Sequence, residues 1–270
     1  MNESCAGLPI VTSVHDRVGE HLFPEVITLP WAHTLFASHF LQANLPRCFP
    51  SSVLWLGIEL ERFAPYGSHD DRFEDMQRPI IFHPARLLRW KGVEIGFDAF
   101  STLRKRLGMG TLVMCGSEKA ATDQEEILVL RQSITARAAQ KGLADRVRFL
   151  EFTQLEMPAA YRASDLVWYP TIDEEPLGLV PIEAMACGVP LVVSDSGGMR
   201  ETVVCNQTGM VVPKNNSPAL AAAAERLLLD ASLRDRLVAG GLVRAKQFDN
   251  HRYVDRLVGL YEEVLTRRSI

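Results

Sequence analysis

From residue 80 onward the sequence predicts an α/β fold, a Rossmann-like parallel sheet with helices on both faces. The first observation behind this is alternation. Short apolar runs, each fit to be a buried strand, stand at 80–84, 111–116, 146–150, 165–169, 190–194 and 209–212. Helical patterns at 92–107, 121–141, 155–163, 178–187, 198–204 and 217–230 lie between them, and that order makes the strands parallel neighbours joined by crossovers. The second observation is period: Val93, Phe97, Phe100 and Leu103 recur at three- and four-residue steps, which is one face of a helix. The third is glycine where a strand gives way to a helix, at Gly178 and at the pair Gly197-Gly198.

Ahead of this unit, Pro9 to Val14 reads as a short strand. Thr34 to Ser38 reads as a second, followed by an apolar helix start through Leu41, and Ser52 to Gly57 as a third. Residues 1–66 therefore read as a partial N-terminal Rossmann-like domain, 67–78 as a polar linker, 79–249 as the main domain and 250–270 as a C-terminal helix. Two amphipathic segments, 231–247 and 250–267, close the chain, and Ala221 to Ala224 is a helix-forming run, not a linker. A domain usually needs about 100–200 residues. Residues 1–66 are accordingly either the end of a truncated domain or a shortened one. Three strands leave sheet edges and apolar surface uncovered, so marginal order or pairing with another chain is expected there.

Composition narrows the function. A hydrophobic fraction of 47% and a charged fraction of 23% are ordinary for a globular chain, and a net charge of −4 gives no sign of nucleic-acid binding. Cys5, Cys48, Cys115, Cys187 and Cys205 include no C-x-x-C pair, and several sit in apolar runs as buried thiols do. A reducing, cytoplasmic setting is expected, and neither a disulfide scaffold nor a zinc site. No apolar run reaches the roughly eighteen residues of a membrane span, and Met1 to Cys5 lacks the basic and apolar regions of a signal peptide. His21, His33, His39, His69, His83 and His251 show no metal-ligand spacing and read as structural or solvated.

The chemistry gathers in three stretches. In Glu174 to Pro190, Glu175 and Glu183 stand eight residues apart around the Gly178 turn, which opens a helix. The free N–H groups of Gly178, Leu179 and Val180 make that helix start a site for an anion, and a carboxylate on either side can accept hydrogen bonds from hydroxyls. A ligand with phosphate in the middle and polyols at both ends, such as a nucleotide-diphosphate sugar, fits. In His83 to Val93, Arg86 and Lys91 follow an apolar strand and precede a helix, which sets two cations at the carboxyl end of a parallel sheet, where ligands of open α/β folds bind. Trp90, between them, reads as packing. In Val192 to Glu201, a buried strand runs into Gly197-Gly198, whose lack of side chains admits a close backbone approach to a ligand. Glu201 there reads equally as a site residue or as a helix N-terminal charge favoured by the dipole.

These stretches resemble the motifs of retaining glycosyltransferases of family 4, also called group 1, which have the GT-B fold. Glu175 to Glu183 is similar to the family's E-x7-E signature, with Leu177 where Phe is common. The resemblance implies that Glu175 contacts hydroxyls of the transferred sugar and that Glu183 holds the ribose. His83 to Val93 resembles the G-R-x4-K-G element, with Ala85 in place of Gly, and implies that Arg86 and Lys91 neutralise the donor diphosphate. Ser194 to Glu201 resembles S-D-x-G-G-x-x-E, which implies donor-pocket roles for Gly197, Gly198 and Glu201. Glu59 to Pro65 resembles the I-D-x-x-R-F-x-P segment that closes the family's first domain, with Glu59 for Asp and Leu56 for the Asn before Gly57. On this resemblance residues 1–66 are the last part of an acceptor domain. His15, at the end of a strand, matches a family histidine near the donor sugar, and it also reads as a loop histidine bonded to Asp16.

The expected activity is transfer of a sugar from a nucleotide-diphosphate donor with retention of configuration. No cofactor or metal is expected, because no D-x-D cluster stands at a strand end and fixed cations with a helix dipole can stabilise the leaving diphosphate. Asp70-Asp71 and Asp173-Glu174 read as solvated loop acids. The expected partners are the donor, a carbohydrate, lipid-linked or small-molecule acceptor, and no nucleic acid, with room for peripheral membrane contact and for a missing N-terminal segment or partner chain. Two other readings stand beside it: a donor-binding fragment or subunit inactive by itself, and a nucleotide-sugar epimerase or hydrolase on the same fold.

Overall fold

The computed structural model describes residues 9–17, 31–44, 50–115 and 123–266. Two parallel sheets result. In the first, β1 (Ile10–Val14), β2 (Trp31–Phe36) and β3 (Ser51–Val53) pair side by side, with Val14 opposite Phe36 and Phe36 opposite Val53. The chain turns at Ala37 and Ser38 into the short helix α1 (His39–Ala43), whose Leu41 is buried with Phe36 and Ala37. Strand β2 thus lies earlier than the expected 34–38. Because β2 stops there, the expected strand at 52–57 makes its last bond to β2 from Leu54 N to Phe36 O. From Leu54 on, the chain leaves the sheet and crosses to the second one.

The second sheet has the order β6 (Val147–Leu150), β5 (Thr111–Cys115), β4 (Ile80–His83), β7 (Leu166–Tyr169), β8 (Leu191–Ser194) and β9 (Met210–Val212), all parallel. All four residues of β4, β7 and β8 are buried, as central strands covered on both faces must be. One face is covered by α2 (Val93–Leu107), α3 (Gln124–Gln140) and α7 (Ser217–Leu229), which put Phe97, Phe100, Leu103, Ile134 and Leu220 against Leu112 and Trp168. The other carries α4 (Met157–Ala163), α5 (Leu179–Ala186) and α6 (Met199–Thr202), which contribute Tyr161, Ile182, Met185 and Met199. The strand order reverses between β4 and β7, and that switch point is where an open α/β sheet leaves a crevice beyond its strand ends.

The stretch 67–78, expected as a polar linker, lies on this second core. Phe73 is buried against Phe82 and Phe152, and Asp70 caps the turn and holds Arg72 at 2.6 Å. The Arg72 guanidinium keeps the Asp70 carboxyl below its ordinary pKa. Asp70 is thus a buried partner, which corrects its reading as a solvated acid. Helices α8 (Ala231–Ala245) and α9 (Asn250–Thr266) finish the chain, and the bend between them carries Phe248. Phe248 stacks on Trp55 at 5.3 Å between ring centres, while Ile58 N donates to Phe248 O and Asn250 N to Ile58 O. No helix among the described residues is long and apolar enough to cross a membrane.

Candidate functional site

The switch point is built by one close approach. After β4 the chain forms a tight turn over Arg89–Lys91 and reaches Gly92, whose φ is +75°. A Cβ there would overlap the Pro170 carbonyl oxygen, just past the end of β7. Only glycine lets the two segments pass. The consequence is that Lys91, from the first crossover, lies beside Tyr169, the last residue of β7.

Lys91 Nζ donates to Glu175 Oε2 at 2.8 Å and to the Tyr169 hydroxyl, and that hydroxyl donates to the same Glu175 oxygen at 2.7 Å. The Lys91 and Glu175 side chains are only 12% and 10% exposed. The ammonium is 3.6 Å from the centre of the Trp90 ring, on its face, and 5.0 Å from that of Tyr169, at the hydroxyl edge. Burial pushes the Lys91 pKa down while Glu175 opposes the shift, and burial raises that of Tyr169 well above its ordinary value. Arg86 stands open beside this group, half exposed, with Asp123 at 3.3 Å. Two of the expected residues, Lys91 and Glu175, are therefore partners of each other. Arg86 is the cation on the solvent side.

The loop that presents Glu175 is fixed from below. Glu175 N donates to Ser196 Oγ, Ser196 Oγ donates to Asp173 O, and Gly198 N donates to Glu175 O. A Cβ on Gly197 or Gly198 would overlap the carbonyl of Glu175 or Pro176. The close approach these glycines admit in this structure is that of the protein's own backbone. Glu174 joins the same brace. Its Oε2 accepts from Gly197 N at 2.5 Å, its Oε1 holds Lys214, and those bonds keep its carboxyl below the ordinary pKa. Asp173 pairs with Arg17 at 3.3 Å. Glu174 is thus braced and not a solvated acid, while Asp173 stays mostly exposed, as a loop acid does.

Helix α5 begins at Gly178, φ +86°, with no side-chain cap. The N–H groups of Gly178, Leu179 and Val180 have no hydrogen-bond partner among the described residues, and Glu175 Cγ lies 3.5 Å from where a Gly178 Cβ would be. The open helix start and the Glu175 group are thus adjacent. Glu183, one turn into α5, accepts from the Tyr161 hydroxyl at 2.7 Å and borders a cleft of about 300 Å³ with Arg62, Gln154 and Leu179. Burial raises its carboxyl pKa, and the Tyr161 bond opposes this.

The first sheet leans on this site from above. Ser38 Oγ donates to Pro176 O at 2.6 Å, next to Glu175. Glu201 accepts from His39 N, Phe40 N and Trp55 Nε1, all at 2.8–2.9 Å. Its carboxylate is turned to the first sheet and stands at the N-terminus of α1, not at that of its own helix α6. His15 follows β1 and is exposed, and its ring bonds to Ser13 Oγ at 2.7 Å where Asp16 was the expected partner. Its neighbours reach the site: Arg17 pairs with Asp173, and the Asp16 charge acts on Lys91. His83, under Lys91, is fully buried, and burial lowers its pKa to about 3, so it is neutral at any working pH.

Sequence reasoning passed over Tyr169, Tyr161, Ser196 and the Glu174–Lys214 pair. Tyr169 had a signal, a phenol closing the apolar run Leu166–Tyr169 at the strand end that meets the switch point. The others have none, since their partners are distant in sequence. Among the described residues no group of three or more His, Cys, Asp or Glu could hold a metal ion.

Residues 68–242 match the family model of the glycosyl transferases group 1. The D-inositol 3-phosphate glycosyltransferase of Salinispora tropica is 31% identical over 223 residues, which are 77% of this chain and 45% of that protein. The GDP-mannose-dependent alpha-(1-6)-phosphatidylinositol monomannoside mannosyltransferase of Mycobacterium tuberculosis is 30% identical over 245 residues, 87% of this chain and 59% of that one. The solved structure of HepE from Anabaena in complex with UDP and glucose superposes with a TM-score of 0.81 at 21% identity, over 94% of this chain and 71% of that chain. That likeness is one of fold. The chain spans about half the length of the curated relatives it matches.

Proposed function

The chain belongs to the glycosyl transferases group 1 family, and on that footing we propose that it transfers a sugar from a nucleotide-diphosphate donor to an acceptor hydroxyl, with retention of configuration and without a metal ion. The observation that carries this is the grouping at the switch point: Arg86 and Lys91 beside the open N–H groups of Gly178, Leu179 and Val180, with Glu175 adjacent. Breaking a sugar–diphosphate bond builds negative charge on the leaving group. Two cations and a helix start are fixed charges of the right sign for it, and they need no reorganisation as the bond breaks. Glu175 is then set to accept from sugar hydroxyls and Glu183 from the ribose. The braced Gly197-Gly198 turn acts by shaping the Glu175 loop, and His15 faces the sugar from the first sheet. HepE is solved with UDP and the mannosyltransferase relative is named for GDP-mannose, so both bases belong in the test.

The test is titration calorimetry of UDP, GDP and ADP in EDTA. Arg86→Ala with Lys91→Ala is expected to remove two charge-assisted contacts, each worth about 1.5–3 kcal/mol. Glu183→Ala is expected to weaken the free nucleotide and the sugar nucleotide alike, and Glu175→Ala to weaken mainly the sugar nucleotide. Undiminished affinity in the double variant would sink the site assignment. A second reading, donor binding without transfer, is favoured by the small first sheet, and donor turnover in the presence of acceptor decides between the two.

A further inference from the structure

Neither the family's motifs nor the proposed roles give Tyr169 anything to do, yet its hydroxyl is the middle of a nearly enclosed polar group in the site. The triad poses a problem for any ligand. Glu175 Oε2 takes both of its hydrogen bonds from Lys91 and Tyr169. If Lys91 serves an incoming diphosphate, it must loosen its hold on a carboxylate that is nearly sealed from water. A buried carboxylate that loses its cation with nothing in exchange is strongly disfavoured, and the Lys91–Glu175 pair left to itself would resist opening.

Tyr169 removes that obstacle. Its hydroxyl donates to Glu175 Oε2 independently of Lys91. It is anchored at the end of a central strand, fully buried on both sides, so it does not follow the lysine. The Trp90 face covers the ammonium on one side, so it can turn from the carboxylate without entering bulk water. The geometry points to Tyr169 as a positioning residue that holds Glu175 in place while Lys91 exchanges the carboxylate for the donor diphosphate; this rests on the donor-site reading given above. Without ligand, cation and carboxylate neutralise each other. With ligand, Lys91 faces phosphate and the Tyr169 hydroxyl alone keeps Glu175 aimed at the sugar.

A merely structural tyrosine would not behave as this arrangement requires. In Tyr169→Phe the carboxylate has only Lys91 to bond, so the lysine is harder to recruit, and UDP and GDP affinity is expected to fall by about tenfold. Glu175→Gln replaces the carboxylate by a neutral amide that holds Lys91 weakly, and this variant is expected to bind the free nucleotides as well as the wild type or better. The double variant Tyr169→Phe with Glu175→Gln is expected to return to within about threefold of the wild type. Calorimetry of UDP and GDP with the four proteins, each checked by thermal melting, reads all three expectations. Loss in Tyr169→Phe that the second substitution does not restore would assign the tyrosine a structural role and overturn the proposal. Weaker nucleotide binding by Glu175→Gln alone overturns it as well, even if Tyr169→Phe fails to fold. Wild-type protein that binds none of UDP, GDP and ADP, or Lys91→Ala that binds them fully, overturns the donor-site reading and this inference with it. Wild-type binding with Tyr169→Phe unchanged overturns the inference alone.

Discussion

At the scale of single residues, Gly92 and Gly108 have almost the same backbone, φ +75° and +72°, but different surroundings. Nothing lies within 4 Å of where a Gly108 Cβ would be, whereas at Gly92 it would overlap the Pro170 carbonyl. Ala at Gly108 meets only the strain of a left-handed backbone, about 1–2 kcal/mol. Ala at Gly92 adds the cost of forcing two packed segments apart, so its total is expected to be about 2–5 kcal/mol. Urea unfolding of the two variants measures this, with Gly108→Ala as the internal reference. Because the approach at Gly92 also sets Lys91 beside Tyr169, Gly92→Ala is expected to lose nucleotide affinity while Gly108→Ala keeps it. Equal stability costs at the two positions would mean that the contact with Pro170 positions nothing.

At the scale of elements, helix α1 is capped by the other sheet. Its His39 and Phe40 N–H groups go to Glu201 of α6, and Leu41 N goes to Ser38 Oγ. Glu201→Ala is expected to open α1 locally by about 1–2 kcal/mol, read as faster hydrogen exchange at residues 39–43 with exchange in α7 unchanged. No change at 39–43 would mean that the cap contributes nothing to the helix. This cap also marks where the sequence stopped being legible. The six strands of the second sheet and the helices between them announced themselves by apolar runs and three-to-four spacing, because both signals are local. The placing of Arg86 and Lys91 after a strand and of Glu175 before a helix start was legible in the same local way, but the bond between Lys91 and Glu175, 84 residues apart, was not. Glu201 could not be placed that way: two of its partners lie 162 and 161 residues away on a helix of five residues, too short to show a period, and the third is Trp55. The extent of β3 was misjudged for a related reason, since an apolar run says nothing about whether a neighbouring strand is there to pair with it. The bracing of the Glu175 loop by Ser196 and Glu174 was equally hidden, because a serine and a loop acid carry no signature of the backbone they will hold.

At the scale of the whole molecule, Trp55 and Ile58 help to join the two sheets. Trp55 donates to Glu201, stacks on Phe248 and lies under Arg244 at 5.2 Å, while Ile58 shares backbone bonds with Phe248 and Asn250. The candidate donor residues Arg86, Lys91, Glu175 and Glu183 all belong to the second sheet and its helices, whereas His15 and the Ser38 contact with Pro176 belong to the first. Binding and turnover are therefore expected to respond differently when the joint is loosened. The proposed nucleotide contacts all belong to the second sheet and its helices, so Trp55→Ala is expected to change UDP or GDP affinity by no more than about threefold. Bond cleavage needs the reacting groups oriented and water excluded by the facing sheet, and small misplacements there are costly, on the order of 100-fold in rate. Donor turnover by Trp55→Ala, measured at saturating sugar nucleotide, is expected to fall at least tenfold below whatever rate the unsubstituted chain shows. His15→Ala should show the same split, with turnover reduced and nucleotide affinity nearly kept. Parallel losses of affinity and turnover in Trp55→Ala would place the first sheet within the donor site itself, and turnover unaffected by either substitution would mean that the second sheet works without its neighbour.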